Sequence, residues 1–379
     1  MSYRRHRPFL ISQIMATVLL GNFIACGQEI ADYPVGELAV EVEVIHDDFE
    51  NPWSFTFLPD ASMLVTEKKG ELYYLKGGSK ERIEGLPEVY VRGQGGLMDV
   101  VLHPNYENNG WIYFAYGTSE NSKDGGNTSV ARAQLEGAQL TDFEVLFTAT
   151  PASRKGQHWG GRISFDREGF MYVSVGDRGA RDVNPQSLSN HSGKIHRLND
   201  DGSVPDDNPF VDNTDAISSI FSYGHRNPQG MDVHPVTGEV WAHEHGPKGG
   251  DELNVVRKGN NYGWPVISYG VNYSGTSFTD ITEKEGMEQP VKYWVPSIAP
   301  CGMAFVTSEL YGDWKGSVLM GSLKFDYIHR IILNGDEMVR EEKVMEDIGR
   351  VRTIRQGPDG FIYVSLEGKG IVKLVPSEK

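Results

Sequence analysis

The chain has only two cysteines, Cys26 and Cys301, among its 379 residues. This number excludes a disulfide framework and any zinc site built from several cysteines. Basic residues are also scarce, since 36 lysines and arginines face 52 acidic residues and give a net charge of −16. Nucleic acid is therefore not expected as a partner, because phosphate backbones bind basic surfaces. No long stretch beyond the N-terminus repeats its apolar residues at helical spacing.

The longest apolar stretch lies at the N-terminus. Three arginines within the first seven residues precede a mostly apolar segment that ends just before Cys26. The segment is too short and too interrupted for a membrane span, and the pattern is typical of a secretory signal. We interpret residues 1–25 as a signal peptide of lipoprotein type, with a lipid on Cys26, and residues 26–37 as an N-terminal tether. Ordinary secretion is the alternative.

Export has consequences for charge and for the two thiols. Cleavage after residue 25 removes three arginines and no acid, which leaves 33 basic and 52 acidic residues, a net charge of −19. A lipid on Cys26 leaves Cys301 as a lone thiol, and a Cys26–Cys301 disulfide is the alternative. The expected location is the periplasm, or the outer membrane through the lipid anchor.

A strand signal recurs six times. Each copy is a turn of Pro, Asp, Asn or Gly followed by a short run of β-branched, aromatic and other apolar residues. The runs are marked by Met63, Ile112, Met171, Val240, Val318 and Ile362. Six such units predict an all-β fold, a six-bladed β-propeller with four antiparallel strands per blade, as one domain over residues 38–376. A pair of β-sandwiches is the alternative, but it does not account for six similar units.

The propeller interpretation makes two further predictions. The early strand from Leu38 to Ile45 is expected to pair with the last blade and close the ring, which removes exposed strand edges. The markers are most widely spaced between the third and the fifth, so insertions are expected there, including the segment from Gly224 to Asn254. Insertions in propellers tend to gather on one face, which commonly binds the ligand.

Two residues are candidates for acid–base chemistry. His158 lies just before the third run, and Asp177 lies in the turn that follows that run. A strand hairpin could bring the Asp177 carboxylate to one ring nitrogen of His158, which would leave the other nitrogen as a general base. A capped surface histidine beside a turn aspartate is the alternative, and local sequence favours it.

Cations and oxygen ligands form the second group of candidates. The cationic positions are Arg226, which is followed by the polar Asn227, then Lys324, Arg350 and Arg352. In so acidic a chain, converging cations indicate a bound anion, although each alone is explained by a surface ion pair. Backbone carbonyls in the Gly246-Pro247 turn could bind Ca²⁺. A second calcium site could use Asp251, Glu252 and the Tyr262 region, a turn cap being the alternative for the acidic pair.

Several motifs, in this order, resemble the soluble PQQ-dependent sugar dehydrogenases, most closely their aldose sugar dehydrogenase branch. The resemblance covers roughly residues 38 to 376. Its most specific parts are SYGHRNPQGM from Ser222 and EHGPKGGDELN from Glu244, supported by HWGGRISFD from His158, GNNYGWP from Gly259 and RVRTIRQGPDG from Arg350. The resemblance implies a six-bladed propeller that binds pyrroloquinoline quinone (PQQ) and Ca²⁺ and oxidises aldose sugars.

The resemblance also implies residue roles. His158 would be the general base for the anomeric hydroxyl, Asp177 its orienting partner, and Arg226 the group that stabilises the developing oxyanion. The implied PQQ contacts are Gln94, Arg226, Asn227, Lys324, Arg350 and Arg352. Gly246 and Pro247 would supply carbonyls to a bridging calcium, and Glu252 and Tyr262 would bind a structural calcium. The electron acceptor, a respiratory quinone or a cytochrome, is left open.

The natural sugar is not carried over from the resemblance. Gln157 stands where the well-known glucose dehydrogenases have Asp, and the aromatic residue expected near Val295 is absent. Two other functions remain as alternatives. A calcium-dependent propeller hydrolase such as a lactonase would gather acidic and amide side chains on the axis, where cations are predicted instead. A non-catalytic binding propeller would be expected to lack His158 or the cations.

Overall fold

The structure is a computed structural model that describes residues 38–377, apart from positions 121 and 124. The predicted signal peptide, the tether and Cys26 lie outside the described residues. Within these limits the chain forms six four-stranded antiparallel sheets arranged as blades, which confirms the predicted six-bladed propeller.

The first strand of the described chain, β1 (Ala39–His46), belongs to the last blade, and each later blade uses four consecutive strands. The first blade contains β2 (Pro52–Phe57), β3 (Met63–Glu67), β4 (Glu71–Lys76) and β5 (Ser79–Ile83). The second contains β6 (Leu97–Leu102), β7 (Ile112–Thr118), β8 (Asn127–Glu136) and β9 (Gln139–Thr148). The third contains β10 (Ile163–Phe165), β11 (Met171–Val175), β12 (Lys194–Leu198) and β13 (Ile220–Tyr223).

The other three blades follow the same plan. The fourth contains β14 (Pro228–Val233), β15 (Val240–Glu244), β16 (Asp251–Val256) and β17 (Lys292–Trp294). The fifth contains β18 (Pro300–Phe305), β19 (Val318–Ser322), β20 (Ile328–Asn334) and β21 (Glu337–Val344). The sixth contains β22 (Val351–Gln356), β23 (Ile362–Leu366), β24 (Gly370–Ser377) and β1.

Helix is confined to two short segments of the described chain, α1 (Tyr106–Asn109) and a 3₁₀ segment (Glu309–Trp314). Neither these nor any other helix within the described residues has the length and apolar composition needed to cross a lipid bilayer.

All six sequence markers begin the second strand of a blade. These strands are almost wholly buried, because both of their faces pack against neighbouring blades. The core accordingly lies between blades, as where Tyr113 and Val130 of the second blade pack with Met171 and Val173 of the third. Each such large apolar side chain contributes about 1.5–3 kcal/mol when fully buried.

The ring closes as predicted. β1 pairs antiparallel with β24 from Ala39 opposite Ser377 to His46 opposite Ile371. The N-terminal strand therefore completes the blade that the C-terminal strands begin, and the edge of β24 is covered.

The segment from Gly224 to Asn254 is not an insertion, and this expectation is wrong. It supplies β14, β15 and most of β16, which are largely buried strands of the fourth blade. The long connections of these blades lie elsewhere, at 176–193, 199–219 and 257–291.

The innermost strand of each blade contacts the innermost strands of both neighbouring blades, so that six strands surround a central channel. Buried Arg162 crosses this channel and ties three blades together. Its guanidinium donates to the Gln229 carbonyl at 2.7 Å, to the Arg352 carbonyl at 2.6 Å and to Thr353 Oγ1 at 2.7 Å. Loops that precede the innermost strands thus have a rigid base.

Candidate active site

A cleft of about 570 Å³ opens at the end of the channel where the innermost strands begin. Its lining includes Gln94, His158, Asp177, Arg226, Pro247 and Trp264, with Lys155, Arg181 and Tyr273 also among the lining residues. These residues come from loops of the second, third and fourth blades, far apart in sequence. The cleft therefore collects four of the eight predicted cofactor and catalytic residues in one place: Gln94, His158, Asp177 and Arg226.

A second cavity, of about 500 Å³, lies at the opposite end of the channel. Its buried Asp99 already accepts hydrogen bonds from Ser54 Oγ at 2.6 Å and from Arg355 at 2.8 Å. Because this carboxylate is satisfied by protein groups, we place the reactive chemistry in the first cleft.

The hairpin of β10 and β11 brings Asp177 to His158. Nδ1 of His158 lies 2.6 Å from Oδ1 of Asp177, and the two side chains are 13% and 1% exposed. An ionised carboxylate only accepts hydrogen bonds, so Nδ1 carries the proton in the neutral ring and Nε2 is left with a lone pair. No described residue hydrogen bonds to Nε2, which makes it available to a ligand.

The backbone of His158 is held in the left-handed region, with φ of 55°. Its N–H donates to Oε1 of Gln94 at 2.7 Å, and its carbonyl accepts from the N–H of Arg178 at 3.3 Å. Non-glycine residues in this region are uncommon and are retained where surrounding contacts fix them. In the cofactor-free protein, Gln94 therefore positions the backbone of His158, in addition to its predicted role as a PQQ contact.

Burial lowers the pKa of His158, and the nearby positive charge of Arg226 lowers this pKa further, against the opposing effect of Asp177. Burial alone would raise the pKa of Asp177, but hydrogen bonding to His158, the charge of Arg226 and the bond from Trp264 lower it overall. At neutral pH the pair is therefore a neutral imidazole beside a carboxylate, the state that a general base requires.

Arg226 is the buried cation of the cleft. Its Nη1 donates to the His245 carbonyl at 3.0 Å, and its guanidinium lies 5.3 Å from the centre of the Trp264 ring. Among the described residues no carboxylate lies within ion-pair distance of this guanidinium. An anion that enters the cleft can therefore supply the missing counter-charge.

Asn227 is buried directly beneath the His158 loop. Its Oδ1 accepts from the N–H of Gly160 at 3.1 Å, which ties the loop before β10 to the loop before β14. The interaction gives Asn227 a structural function next to the predicted cofactor contact.

The three other predicted cations do not line the cleft. Lys324 is exposed and donates to the Ser297 carbonyl at 3.1 Å. Arg350 and Arg352 both bind Glu367, with Nε to carboxylate distances of 2.8 and 3.0 Å. Both arginines thus face the same side, as their alternation predicts, but as partners of one carboxylate rather than as unpaired cations.

The Gly246-Pro247 turn connects β15 to β16 and is buried. A Cβ atom at Gly246 would lie 2.2 Å from the Gly249 carbonyl oxygen, so only glycine fits there. No described donor hydrogen bonds to the carbonyl oxygens of Gly246 or Pro247. Two buried carbonyls without donors are suitable ligands for a hard cation.

Asp251 has a different function from the one expected, because it is not free to bind calcium. Its two oxygens accept from the N–H groups of Gly246, Ile298 and Ala299 at 2.7–2.8 Å and from the Ser297 hydroxyl. These bonds occupy the carboxylate and fasten the Gly246 turn to the loop before β18. The turn-cap alternative is therefore correct for this residue.

Glu252 lies directly across from Glu244 in the β15–β16 pairing. Burial and the nearby Glu244 carboxylate raise the pKa of Glu252 to about 8. Close by, Asn254 Oδ1 is buried without a hydrogen-bond donor. The hydroxyl of Tyr262 donates to the Val255 carbonyl at 2.5 Å. The oxygen of Tyr262 that remains for a ligand is therefore its own backbone carbonyl.

The described residues contain no cluster of three or more His, Cys, Asp or Glu side chains that could hold a metal. Calcium binding would therefore depend on backbone carbonyls together with one or two side chains. This donor set suits Ca²⁺, which takes oxygen ligands of mixed origin.

Three important residues were not identified from sequence. Trp264 donates from Nε1 to Oδ2 of Asp177 at 2.9 Å. Glu244 accepts from the N–H of Arg226 at 2.5 Å and lies 2.8 Å from Nδ1 of His225. The buried Arg178 donates to the Lys155 carbonyl at 2.9 Å and stacks on Trp159. Trp264 lies inside the GNNYGWP motif, Glu244 begins EHGPKGGDELN, and Arg178 directly follows Asp177. These positions are the only sequence signal that could have found them.

Two features define the class of protein. The described chain is a six-bladed propeller. The mouth of its channel holds a largely buried histidine–carboxylate pair and an arginine that has no ion-pair partner among the described residues. The family model "Glucose / Sorbosone dehydrogenase" matches residues 49–373. The chain belongs to this family, and the predicted resemblance is confirmed.

Individual relatives agree. The chain is 40% identical to the aldose sugar dehydrogenase YliI of Escherichia coli K12 over 332 residues, which is 86% of this chain and 89% of the relative. The crystal structure of the apo-form of the soluble aldose sugar dehydrogenase from Escherichia coli has a TM-score of 0.86 at 38% identity and covers 89% of this chain and 100% of its own. The PQQ-bound aldose sugar dehydrogenase of Streptomyces coelicolor has a TM-score of 0.73 at 26% identity, over 90% of this chain and 99% of its own. Membership in this group of PQQ-type proteins supports an oxidoreductase that acts on sugars.

Proposed function

We propose that the protein oxidises aldose sugars at the anomeric carbon to lactones, in a reaction that depends on PQQ and Ca²⁺. The observation that carries this proposal is the placement of a neutral His158 next to the buried, uncompensated charge of Arg226 in one cleft. A neutral base and a cation that line one cleft suit a reaction that removes a proton from the substrate and builds negative charge on its oxidant.

The described residues fit the cofactor and the metal in part. Arg226 lacks a carboxylate partner, and the carbonyls of Gly246 and Pro247 lack donors. Arg226, Asn227 and Gln94 would hold the PQQ, while the two carbonyls would hold the calcium next to it. Lys324, Arg350 and Arg352 would join only if they exchanged their present partners for the anion.

The protein's part in the mechanism begins at Nε2 of His158, which takes the proton from the anomeric hydroxyl of the sugar. Asp177 holds Nδ1–H and stabilises the imidazolium that results. PQQ, when bound, supplies the two-electron oxidant for the hydride that leaves the anomeric carbon. Arg226 stabilises the negative charge that develops near its guanidinium, without reorganisation, because its position is already fixed by Trp264 and His245.

The other parts of the proposal concern location and partners. The N-terminal pattern supports export and a lipid anchor at Cys26, and such an anchor would keep the enzyme near membrane electron carriers. A respiratory quinone or a cytochrome would then be the electron acceptor.

A reconstitution assay tests the proposal. Cofactor-free protein beginning at residue 27 is mixed with PQQ and Ca²⁺, then with a panel of aldoses and an artificial electron acceptor. We expect dye reduction that requires both PQQ and Ca²⁺ and that stops when a chelator is added. A folded protein that binds no PQQ would overturn the proposal and favour a binding propeller. Full activity after exhaustive chelation would remove calcium from it.

A further inference from the structure

Trp264 touches both halves of the proposed catalytic machinery. Its indole Nε1 donates to Oδ2 of Asp177 at 2.9 Å, and its ring lies 5.3 Å from the Arg226 guanidinium. The side chain is 7% exposed and lines the cleft. It approaches from the 257–291 connection of the fourth blade, whereas Asp177 belongs to the third.

The two oxygens of Asp177 have separate donors. Oδ1 faces Nδ1 of His158 at 2.6 Å and also accepts from the N–H of Gly179 at 2.6 Å. Oδ2 accepts from Trp264 and from no other described residue. The indole N–H thus holds the second oxygen, and together with the two bonds to Oδ1 it fixes the rotation of this buried carboxylate about its Cβ–Cγ bond.

We propose that Trp264 is a positioning residue that sets the plane of the Asp177 carboxylate against His158 and supports Arg226 from the same ring. The proposal rests on the proposed function for its catalytic meaning, but its geometric part holds for the cofactor-free protein. One side chain thereby keeps the base and the cation at a fixed separation.

Loss of the indole N–H leaves Oδ2 buried without a donor. A buried unsatisfied carboxylate oxygen turns toward any available donor or water, and the Asp177–His158 hydrogen bond lengthens as a result. The imidazole then loses its fixed orientation, while the apolar and stacking contacts of the ring with Arg226 persist in a phenylalanine.

The test is proton NMR of the cofactor-free protein combined with kinetics of the reconstituted enzyme. A short, charge-assisted hydrogen bond deshields its proton, so the Nδ1–H of His158 should give a far-downfield resonance that is absent in Asp177→Asn. We expect Trp264→Phe to shift this resonance upfield or to broaden it. In the reconstituted enzyme we expect kcat to fall by about 10- to 100-fold, the range for a lost hydrogen bond to a charged group, with KM for the sugar little changed.

The matched control is Trp294→Phe. Trp294 is similarly buried and donates from Nε1 to Oε2 of Glu341 at 2.9 Å, at the outer edge of the fourth blade. The same kind of bond is lost there, and the downfield resonance and kcat should both stay at their wild-type values.

A second replacement guards against misfolding of Trp264→Phe. β-(3-Benzothienyl)alanine at position 264 keeps the two-ring shape and replaces the N–H by sulfur, so it should reproduce the shifted resonance in a normally folded protein. An unchanged resonance with kcat within twofold of wild type in both variants would overturn the proposal. Because the resonance is read without cofactor, a failure of the PQQ assay would leave this result separately interpretable.

Discussion

His158 is the residue on which most of the site's geometry converges. Gln94 binds its N–H, the Arg178 N–H binds its carbonyl, and Asp177 binds its ring, while its backbone keeps φ at 55°. A conformation of this kind persists only when several contacts determine it together. The ring of His158 is therefore delivered to the cleft in one orientation, before any ligand arrives.

Replacement of this ring gives the first prediction. His158→Ala removes the proton acceptor but none of the proposed calcium ligands and no charge of the cleft at neutral pH. We expect kcat to fall by about 10²- to 10⁴-fold, the usual contribution of a general base, while PQQ still binds. Steady-state kinetics and a cofactor titration by absorbance check this. Loss of PQQ binding in a folded variant would instead give His158 a cofactor-holding role.

Lys194 carries a second prediction, concerning stability. Its Nζ is buried and donates to the carbonyls of Asn184 at 2.6 Å and Ser192 at 2.7 Å, two bonds that a neutral amine can make. Burial lowers its pKa from 10.5 to about 7. Between these values the unfolded chain binds more protons than the folded protein, so stability rises with pH across that window.

Lys194→Met removes this dependence. The unfolding free energy of wild type, relative to the variant, should increase from pH 7 to 10 by on the order of a few kcal/mol. Urea denaturation at several pH values measures both proteins, and titrations of other groups cancel in the difference. Parallel curves for the two proteins would show that Lys194 keeps an ordinary pKa.

At the scale of elements, the β15–β16 pair places the buried Glu244 opposite the half-buried Glu252. Glu244 is satisfied by Arg226 and His225, whereas Glu252 accepts only a 3.3 Å bond from Asn254 among the described residues. A cation next to Glu252 would relieve this repulsion. We therefore assign the proposed structural calcium to this pair of strands.

The third prediction follows from this assignment. Ca²⁺ should raise the Tm of the cofactor-free protein, with a stabilisation of about 2.7 kcal/mol at a hundred times its Kd. Glu252→Gln should lose most of the effect because it lacks the charge. Glu285→Gln, at an exposed position of the 257–291 connection that follows β16, should keep it. Calorimetry measures the calcium response of each of the three proteins. Equal responses in all three would place the metal elsewhere.

β1 gives the fourth prediction. Leu38 and Val40 pack on the core of the sixth blade, and β1 covers the edge of β24. A chain that begins at residue 47 should lose a few kcal/mol of stability and aggregate through the exposed edge. A chain that begins at residue 38 keeps β1 and should behave as the longer protein does. Thermal denaturation and size-exclusion chromatography distinguish the two.

Elements were predictable where a repeated local signal decided them. The six markers, from Met63 to Ile362, all begin a second strand, because a strand buried on both faces needs a short apolar run between turns. The segment from Gly224 to Asn254 was misjudged for a related reason. Its conspicuous motif residues lie at strand ends, and short, largely buried strands connect them.

The site was predictable only in part, because its contacts join residues from different blades. The spacing of His158 and Asp177 across one hairpin is a local signal that allows their contact, although local sequence alone favoured a capped surface histidine beside a turn aspartate. The bond from Trp264 to Asp177 crosses between blades, so no spacing indicates it. Likewise, nothing local distinguishes Arg226, which has no carboxylate partner, from Arg350 and Arg352, which share Glu367.

At the scale of the whole molecule, the net negative charge is the main electrostatic feature. The chain carries 52 acidic and 36 basic residues, and the net charge of −16 repels itself in the compact state. Exposed ion pairs such as Lys76–Asp60 oppose this, but each contributes only about 0–1 kcal/mol. Because acidic residues outnumber basic ones, repulsion should prevail over attraction at low ionic strength.

The fifth prediction is that salt stabilises the protein. Raising NaCl from 10 to 100 mM shortens the screening length from about 30 to about 10 Å, which weakens the long-range repulsion more than short ion pairs. The Tm, measured by calorimetry with a chelator present so that calcium plays no part, should therefore rise. A double variant, Glu283→Lys with Glu285→Lys, changes two exposed acids to bases. The Tm of this variant should rise less steeply with added salt than that of the wild type. A Tm that falls with added salt would mean that ion pairs between the blades, rather than net charge, control the electrostatics of folding.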